Sequence, residues 1–364
     1  MPQERQHYVP KVYLKSWEGS VCSLSNGNTI FNGVYIFDKN NLSVGDGRTR
    51  KKILFEKNIY TIDFENRFIG GESSEILNDF AKQTHKILDA RNVCAFCNGT
   101  HLSSEFLLSQ NFSELHKWIF QSKNNSQPNK VEIIKEIETL KSYVIESAFD
   151  KHIENKWVNV LTEFLAPAES MLYGHGQIEY RYPNEDTPIK MFEMFTYMHS
   201  RNPRFDMLGL LPPILDVTLG PLLKDVENRK KYINEMRRNL WLSEIYKGLN
   251  KCDSGFFHSS VKKAFSRLGF ILFKIVDDDE GCFITSDNPA FTYLSSVTKN
   301  NSNGMYFPLT PRYLLFVGNN SDGQLSDMLI RTIRNSDIKC INGIIRNMAT
   351  KTIVTNNKNL GYIL

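Results

Sequence analysis

The chain has 364 residues, 41% of them hydrophobic, with 24 Phe and 15 Tyr; that supports a substantial core and excludes wholesale disorder. A formal net charge of +4 is mildly basic, compatible with nucleic acid as a partner but well short of the bias that would argue for it. No apolar run approaches the roughly 18 to 20 residues that span a bilayer, the polar start Met1–His7 has no signal-peptide core, and Cys22, Cys94, Cys97, Cys252, Cys282 and Cys340 are scattered as in a reduced compartment. The expectation is a cytoplasmic protein with no membrane partner, open to a protein partner or a second copy of itself.

Pro10 sits where a first helical turn tolerates it, and Val12, Tyr13, Leu14 and Trp17 follow at helical spacing. That predicts a short helix with His7 and Tyr8 just ahead of it. Val34–Phe37, Ile53–Phe55 and Ile59–Ile62 read as strands. From Glu72 the apolar period becomes 3.6, predicting a helix over 72–90. A second helix is predicted over 103–122, and residues 124–129 form a loop. A long helix or helix pair over 131–164 is expected to stop near Pro167. Gln177–Tyr182 alternates like a strand, and helices are predicted over 187–200, 214–226, 228–248 and 257–266.

The apolar runs 269–276 and 282–286, separated by the acidic turn Asp277–Gly281, read as a β-hairpin ended by Ser286-Asp287-Asn288-Pro289. Strands at 306–308 and 313–317, a helix near 325–347 and a strand at 352–354 complete the pattern. β segments at both ends with helices between predict an α+β fold, read as one domain over 1–364. In it the terminal β segments (1–70 and 266–364) share one sheet and 71–265 is a helical body.

Four ordered elements stand out: Gln6-His7-Tyr8-Val9-Pro10, Arg201-Asn202-Pro203, Ser286-Asp287-Asn288-Pro289 and Pro308-Leu309-Thr310-Pro311. Together they resemble a bacterial domain-of-unknown-function family marked by these HYVP and SDNP elements (DUF4238-like), over nearly the whole chain. Residues 90–185 carry none of the four. The resemblance implies an accessory role in defence or on mobile elements, and no defined activity.

Each candidate residue has a chemical and a structural reading. His7 titrates in the neutral range and could act as base or metal ligand, or pack under the sheet. Asp287 at a strand end could serve as general base or Mg²⁺ ligand with Asn288 orienting it, or form an Asx turn. Ser286 would need a base beside it to be a nucleophile, and no Gly-x-Ser-x-Gly elbow surrounds it. Arg201 at a helix end, and Arg312 before a strand, could clamp phosphate or favour a helix dipole. Glu65, Glu72 and Glu75 surround the Gly70-Gly71 break; Glu75 or Glu72 could join Asp287 on a metal ion, Mg²⁺ or Mn²⁺, or simply favour a helix N-terminus. Cys94-x-x-Cys97 with His101 lacks a second ligand pair nearby, so structural thiols are expected rather than zinc. Arg229, Lys230, Lys231, Arg237 and Arg238 share one helix that could track a phosphate backbone or form a solvated face.

Two functions follow. In the first, a nuclease-like phosphodiester hydrolase and defence or toxin effector uses His7, Asp287, Asn288, Arg201 and Glu75 as its chemistry, with Tyr8, Arg312 and Ser286 binding substrate. In the second, a non-catalytic binding or sensor protein uses the same motifs as architecture.

Overall fold

The computed structural model describes residues 5–24, 29–61, 75–124, 127–170, 176–203, 217, 229–250, 268–276, 281–293, 304–319, 327–362 and 364. The chain divides into two compact units, one holding 1–6, 57–152 and 206–258, the other 7–56, 153–205 and 259–364. Among the described residues it passes between them at Gln6–His7, at Glu56–Lys57 and within a π turn, Asp150–Glu154.

The second unit is built on two sheets. Strands from both ends of the chain share one of them, as the sequence predicts: Gly19–Cys22, Ile30–Asp38, Asn41–Arg48, Thr285–Ser286 and Thr352–Thr355. Ile30–Asp38 is its hub. The first half of that strand pairs with Gly19–Cys22, and the second half pairs with Asn41–Arg48 and Thr352–Thr355. Gly45 faces the Phe37 ring so closely that any Cβ there would collide with it, which is why a glycine interrupts this strand.

The other sheet has six strands in the order Phe291–Tyr293, Gly304–Thr310, Tyr313–Asn319, Leu268–Ile275, Asp327–Ile333 and Gln177–Arg181. Its central strand corrects the expected 269–286 hairpin. Leu268–Ile275 is antiparallel to Tyr313–Asn319 and parallel to Asp327–Ile333, while Thr285–Ser286 pairs with Ile353 and Val354 in the first sheet. A run apolar at successive positions signals burial on both faces; it specifies depth, not the partner. The helix expected over 325–347 is likewise a strand, Asp327–Ile333, followed by a helix, Asn335–Met348. Helical periodicity starts only with Ile338, Ile341, Asn342 and Ile345, the buried face.

Between the sheets' residues lies an apolar cluster that includes Phe37, Phe283, Phe291, Tyr306, Phe316, Ile338 and Ile353. Helices Asn155–Ser170 and Asp186–Ser200 belong to this unit. The former ends at Ser170, near the expected stop at Pro167; only three residues follow the proline, so a single lost backbone bond near the end is tolerated. The predicted opening helix is present as Lys11–Leu14 with a 3₁₀ turn to Trp17, and Tyr13, Leu14 and Trp17 are fully buried.

The first unit carries helices Glu75–Ala90, Lys130–Phe149 and Arg229–Leu249, close to their predicted bounds. It also carries a three-stranded sheet, Thr100–His101, Val93–Cys97 and Ile119–Ser122, where the sequence predicted only helix over 103–122. Ser104 caps a short helix, Glu105–Asn111, by accepting from Leu107 N–H at 3.2 Å. A 3₁₀ stretch over Phe112–Lys117 then gives way to the strand. Asn98 and Gly99 both have positive φ, 48° and 80°, making the tight turn of the Val93–His101 hairpin. Ile59 and Tyr60, the start of the expected strand 59–62, lie in a turn instead. The helices predicted over 214–226 and 257–266, the acidic turn 277–280, and Glu65 and Glu72 lie outside the described residues, Val217 in a helical conformation excepted.

Candidate functional site

Three of the four sequence elements meet at Arg201 and Asn202. Arg201 follows the helix Asp186–Ser200, is 4% exposed, and directs Nε and Nη2 to the His7 carbonyl oxygen at 3.0 and 2.6 Å. Its Nη1 donates to Glu154 Oε1 at 2.8 Å. The planar guanidinium thus spans a carbonyl and a carboxylate at once, which an ammonium cannot do. Glu154 ends the π turn. The extra residue of a π turn re-aims the side chains after it, and nothing in the amino-acid pattern announces it.

Asn202 reaches the other way. Its Nδ2 donates to the Asp287 carbonyl at 3.0 Å and to Asn288 Oδ1 at 3.4 Å. The Asp287 side chain turns inward and is 4% exposed. Oδ1 accepts from Thr350 N–H at 2.8 Å, and Oδ2 accepts from Lys351 N–H at 2.8 Å and Thr352 N–H at 3.1 Å. The Asp287 N–H returns a bond to the Thr352 carbonyl at 3.0 Å. A carboxylate offers about four lone-pair positions, and backbone donors take three of them. Asn288 donates through Nδ2 to Met348 O at 3.1 Å, and its N–H donates to Ser286 Oγ at 3.1 Å; Ser286 is fully buried. The Ser-Asp-Asn-Pro element therefore stitches the strand end at 286 to the segment that opens the last strand.

The fourth element joins through Tyr13. Its hydroxyl donates to the Pro308 carbonyl at 2.7 Å and shares a 2.6 Å bond with Thr285 Oγ1. Burial pushes its pKa well above the ordinary phenol range, so it stays protonated and able to donate. Its ring packs between Trp17 and Phe307, with Trp157 on the edge.

A family model described as a protein of unknown function, DUF4238, matches residues 5–359. The chain belongs to that family. No curated protein and no solved structure matches it significantly. In this DUF4238 member all four elements lie within the matched residues; hydrogen bonds connect three of them through Arg201 and Asn202, and Tyr13 ties Pro308 to Thr285, the residue before Ser286.

His7 is the one member of the set with unused chemistry. It is 9% exposed, its ring tilts against Phe55 at 5.7 Å, and Nε2 is buried without a hydrogen-bond partner among the described residues. Burial, then the charges of Lys11 and Arg201, lower its pKa, against the opposing pull of Glu154 and of a bond to the Lys51 carbonyl. The imidazole is therefore neutral at pH 7, with a lone pair facing no donor.

The remaining candidates are dispersed. Tyr8 is half-buried, and its N–H donates to the Leu54 carbonyl at 3.2 Å. Arg312 is exposed at the turn between two strands, its N–H donating to Thr310 Oγ1 at 3.1 Å. Glu75 opens a helix in the first unit, with its side chain outside the described set. Among the described residues no three His, Cys, Asp or Glu side chains are grouped to hold a metal ion. Cys94 and Cys97 are three apart on one strand, so their side chains leave it on opposite faces. Cys97 donates toward Glu114 Oε2 at 3.5 Å, and burial first, then that carboxylate, pushes its thiol pKa up. On the basic helix, Arg238 Nη2 is bound to the carbonyls of Asn58 and Thr61, both at 2.7 Å, so this arginine holds a turn in its own unit.

Proposed function

We propose that this DUF4238 protein is a non-catalytic binding or sensor protein whose four motifs are architectural. One observation carries the reading: both oxygens of Asp287 are taken by backbone N–H groups of Thr350, Lys351 and Thr352. A base or metal-bridging carboxylate needs a lone pair aimed at solvent or substrate, whereas an anchor needs the bonds Asp287 makes. Arg201 is likewise engaged by the His7 carbonyl and Glu154 rather than turned outward for phosphate. The test compares His7→Ala and Asp287→Ala with the parent in two assays: thermal unfolding, and cleavage of plasmid, tRNA and total RNA with Mg²⁺, Mn²⁺ or EDTA. Lower melting temperatures for both variants and no cleavage by the parent are expected.

The competing reading, a nuclease-like phosphodiester hydrolase acting as a defence or toxin effector, has one observation in its favour. His7 Nε2 is a buried acceptor with no donor, as a general base is before its substrate arrives. Metal-dependent cleavage by the parent, lost in a His7→Ala variant that melts normally, would establish that reading instead.

A further inference from the structure

The basic character of the chain is concentrated at its start. Residues 1–57 contain nine Lys or Arg against five Asp or Glu, which equals the whole net charge of +4; the remaining residues balance. Much of that charge meets on one surface of the second unit. The helix Lys11–Leu14 packs against the 3₁₀ turn Arg50–Lys52. Lys11 opens the first and Lys15 the 3₁₀ turn that follows it, both exposed, and Lys51 and Lys52 are exposed on the second. Among the described residues none of these four ammonium groups has an ion-pair partner, while neighbouring Arg48 and Arg50 are neutralised by Asp46 and Glu18. The apolar side chains of the same segment, Tyr13, Leu14 and Trp17, are fully buried. The described surface therefore offers charge without an exposed large apolar anchor, unlike an interfacial membrane helix, which needs both. The packing of the two short elements brings the two lysine pairs onto neighbouring segments of one unit.

From this arrangement we propose that Lys11, Lys15, Lys51 and Lys52 form a docking surface for the phosphate backbone of a nucleic acid strand. The surface shares no side chain with the motif network; its one link is His7, whose titration feels the charge of Lys11 and the Lys51 backbone. It holds whether or not the chain is catalytic. Recognition by ammonium groups alone is independent of base sequence and steeply salt-dependent, with log affinity falling by about 0.7 to 0.9 per phosphate contact for each unit of log salt.

The test is fluorescence anisotropy of the full chain with a labelled single-stranded RNA and a DNA duplex, each about 20 units long, from about 50 to 200 mM salt. Four contacts predict a slope near −3 and a roughly 50- to 150-fold loss of affinity across that range. The quadruple variant Lys11→Ala, Lys15→Ala, Lys51→Ala, Lys52→Ala should fold normally by circular dichroism and lose that binding. Lys156→Ala with Lys339→Ala, exposed lysines elsewhere in the unit, should change it less than about twofold. Wild-type binding that is undetectable at the lowest salt, or unchanged in the quadruple variant, overturns the proposal. So does tighter association with vesicles containing anionic lipid, which would assign the surface to a membrane. Cleavage of the RNA during the assay would remove the non-catalytic reading and leave this one standing.

Discussion

Replacing Asp287 with alanine removes a buried acceptor from three backbone donors, and its effect can be worked from the geometry. Hydrogen bonds to a charged acceptor contribute about 1.5–3 kcal/mol each, so three bonds of 2.8, 2.8 and 3.1 Å set a ceiling of about 9 kcal/mol if they were independent. They are not independent, because all three donors lie in one short segment. Lys351 is exposed, so water can reach part of that segment once the carboxylate is gone. A loss of about 3–4 kcal/mol is expected, at the high end for point mutants. For a unit of roughly 200 residues, at about 2–4 °C per kcal/mol, the melting temperature should fall by about 10 °C. Asp287→Asn separates an anchor from a catalyst. The amide keeps one acceptor and turns an N–H toward a backbone N–H, so an anchoring role predicts a loss nearly as large as alanine's. A catalytic role predicts little loss of stability and full loss of activity. Urea unfolding followed by circular dichroism, with an unchanged dependence on denaturant, measures the difference. If both variants unfold within about 2 °C of the parent, the anchoring account is wrong.

Arg201→Lys should be nearly as damaging as Arg201→Ala, by about 2–4 kcal/mol in urea unfolding, because one ammonium cannot serve both the His7 carbonyl and Glu154; a neutral Lys variant would contradict the geometry. Tyr13→Phe should cost about 1–3 kcal/mol by the same measurement, since the Pro308 carbonyl loses its buried donor while the aromatic packing is retained. His7 and His199 both have folded-state pKa values below the ordinary 6.5, burial being the main cause for each. The unfolded chain therefore binds more protons, and the stability these residues contribute is complete above pH 6.5 and lost as pH falls through their folded values. Unfolding at pH 7, 6 and 5 should give a shallower acid loss for His7→Gln than for the parent, with His199 supplying the slope that remains. Equal slopes would place His7 in water.

Composition and periodicity were enough for the α+β class and for a sheet shared between the chain ends, because a β-branched and aromatic run such as Val34–Phe37 and a 3.6-residue period such as Ile76–Leu88 are local properties. Pairing is not local. The run Phe270–Ile275 says that its strand is buried, but Thr285 is nearer in sequence than Tyr313 or Asp327, and proximity favoured the wrong neighbour. The same limit governs the site. Gln6–Pro10, Arg201-Asn202 and Asp287-Asn288 were visible as unusual clusters of polar and turn-forming residues, and His7, Arg201-Asn202 and Asp287-Asn288 do converge. What the pattern could not reveal is that they converge largely through backbone atoms: His7 offers Arg201 its carbonyl rather than its ring, and Asp287 meets amide hydrogens rather than a side chain. Backbone partners have no residue type, so they leave no trace in a string of side chains. Glu154, the counter-charge that lets Arg201 be buried, was missed for a related reason, since its direction depends on one extra residue in a helical turn. The run Arg48-Thr49-Arg50-Lys51-Lys52 is as visible in the sequence as the longer basic helix at 229–238. Opposite charges separate the two cases: in the run Asp46 and Glu18 silence the arginines and leave Lys51 and Lys52 open, whereas on the helix Arg238 is committed to carbonyls of its own unit. A basic cluster is thus judged by the partners its cations already have, and by that measure the short run is a surface with charge left to offer.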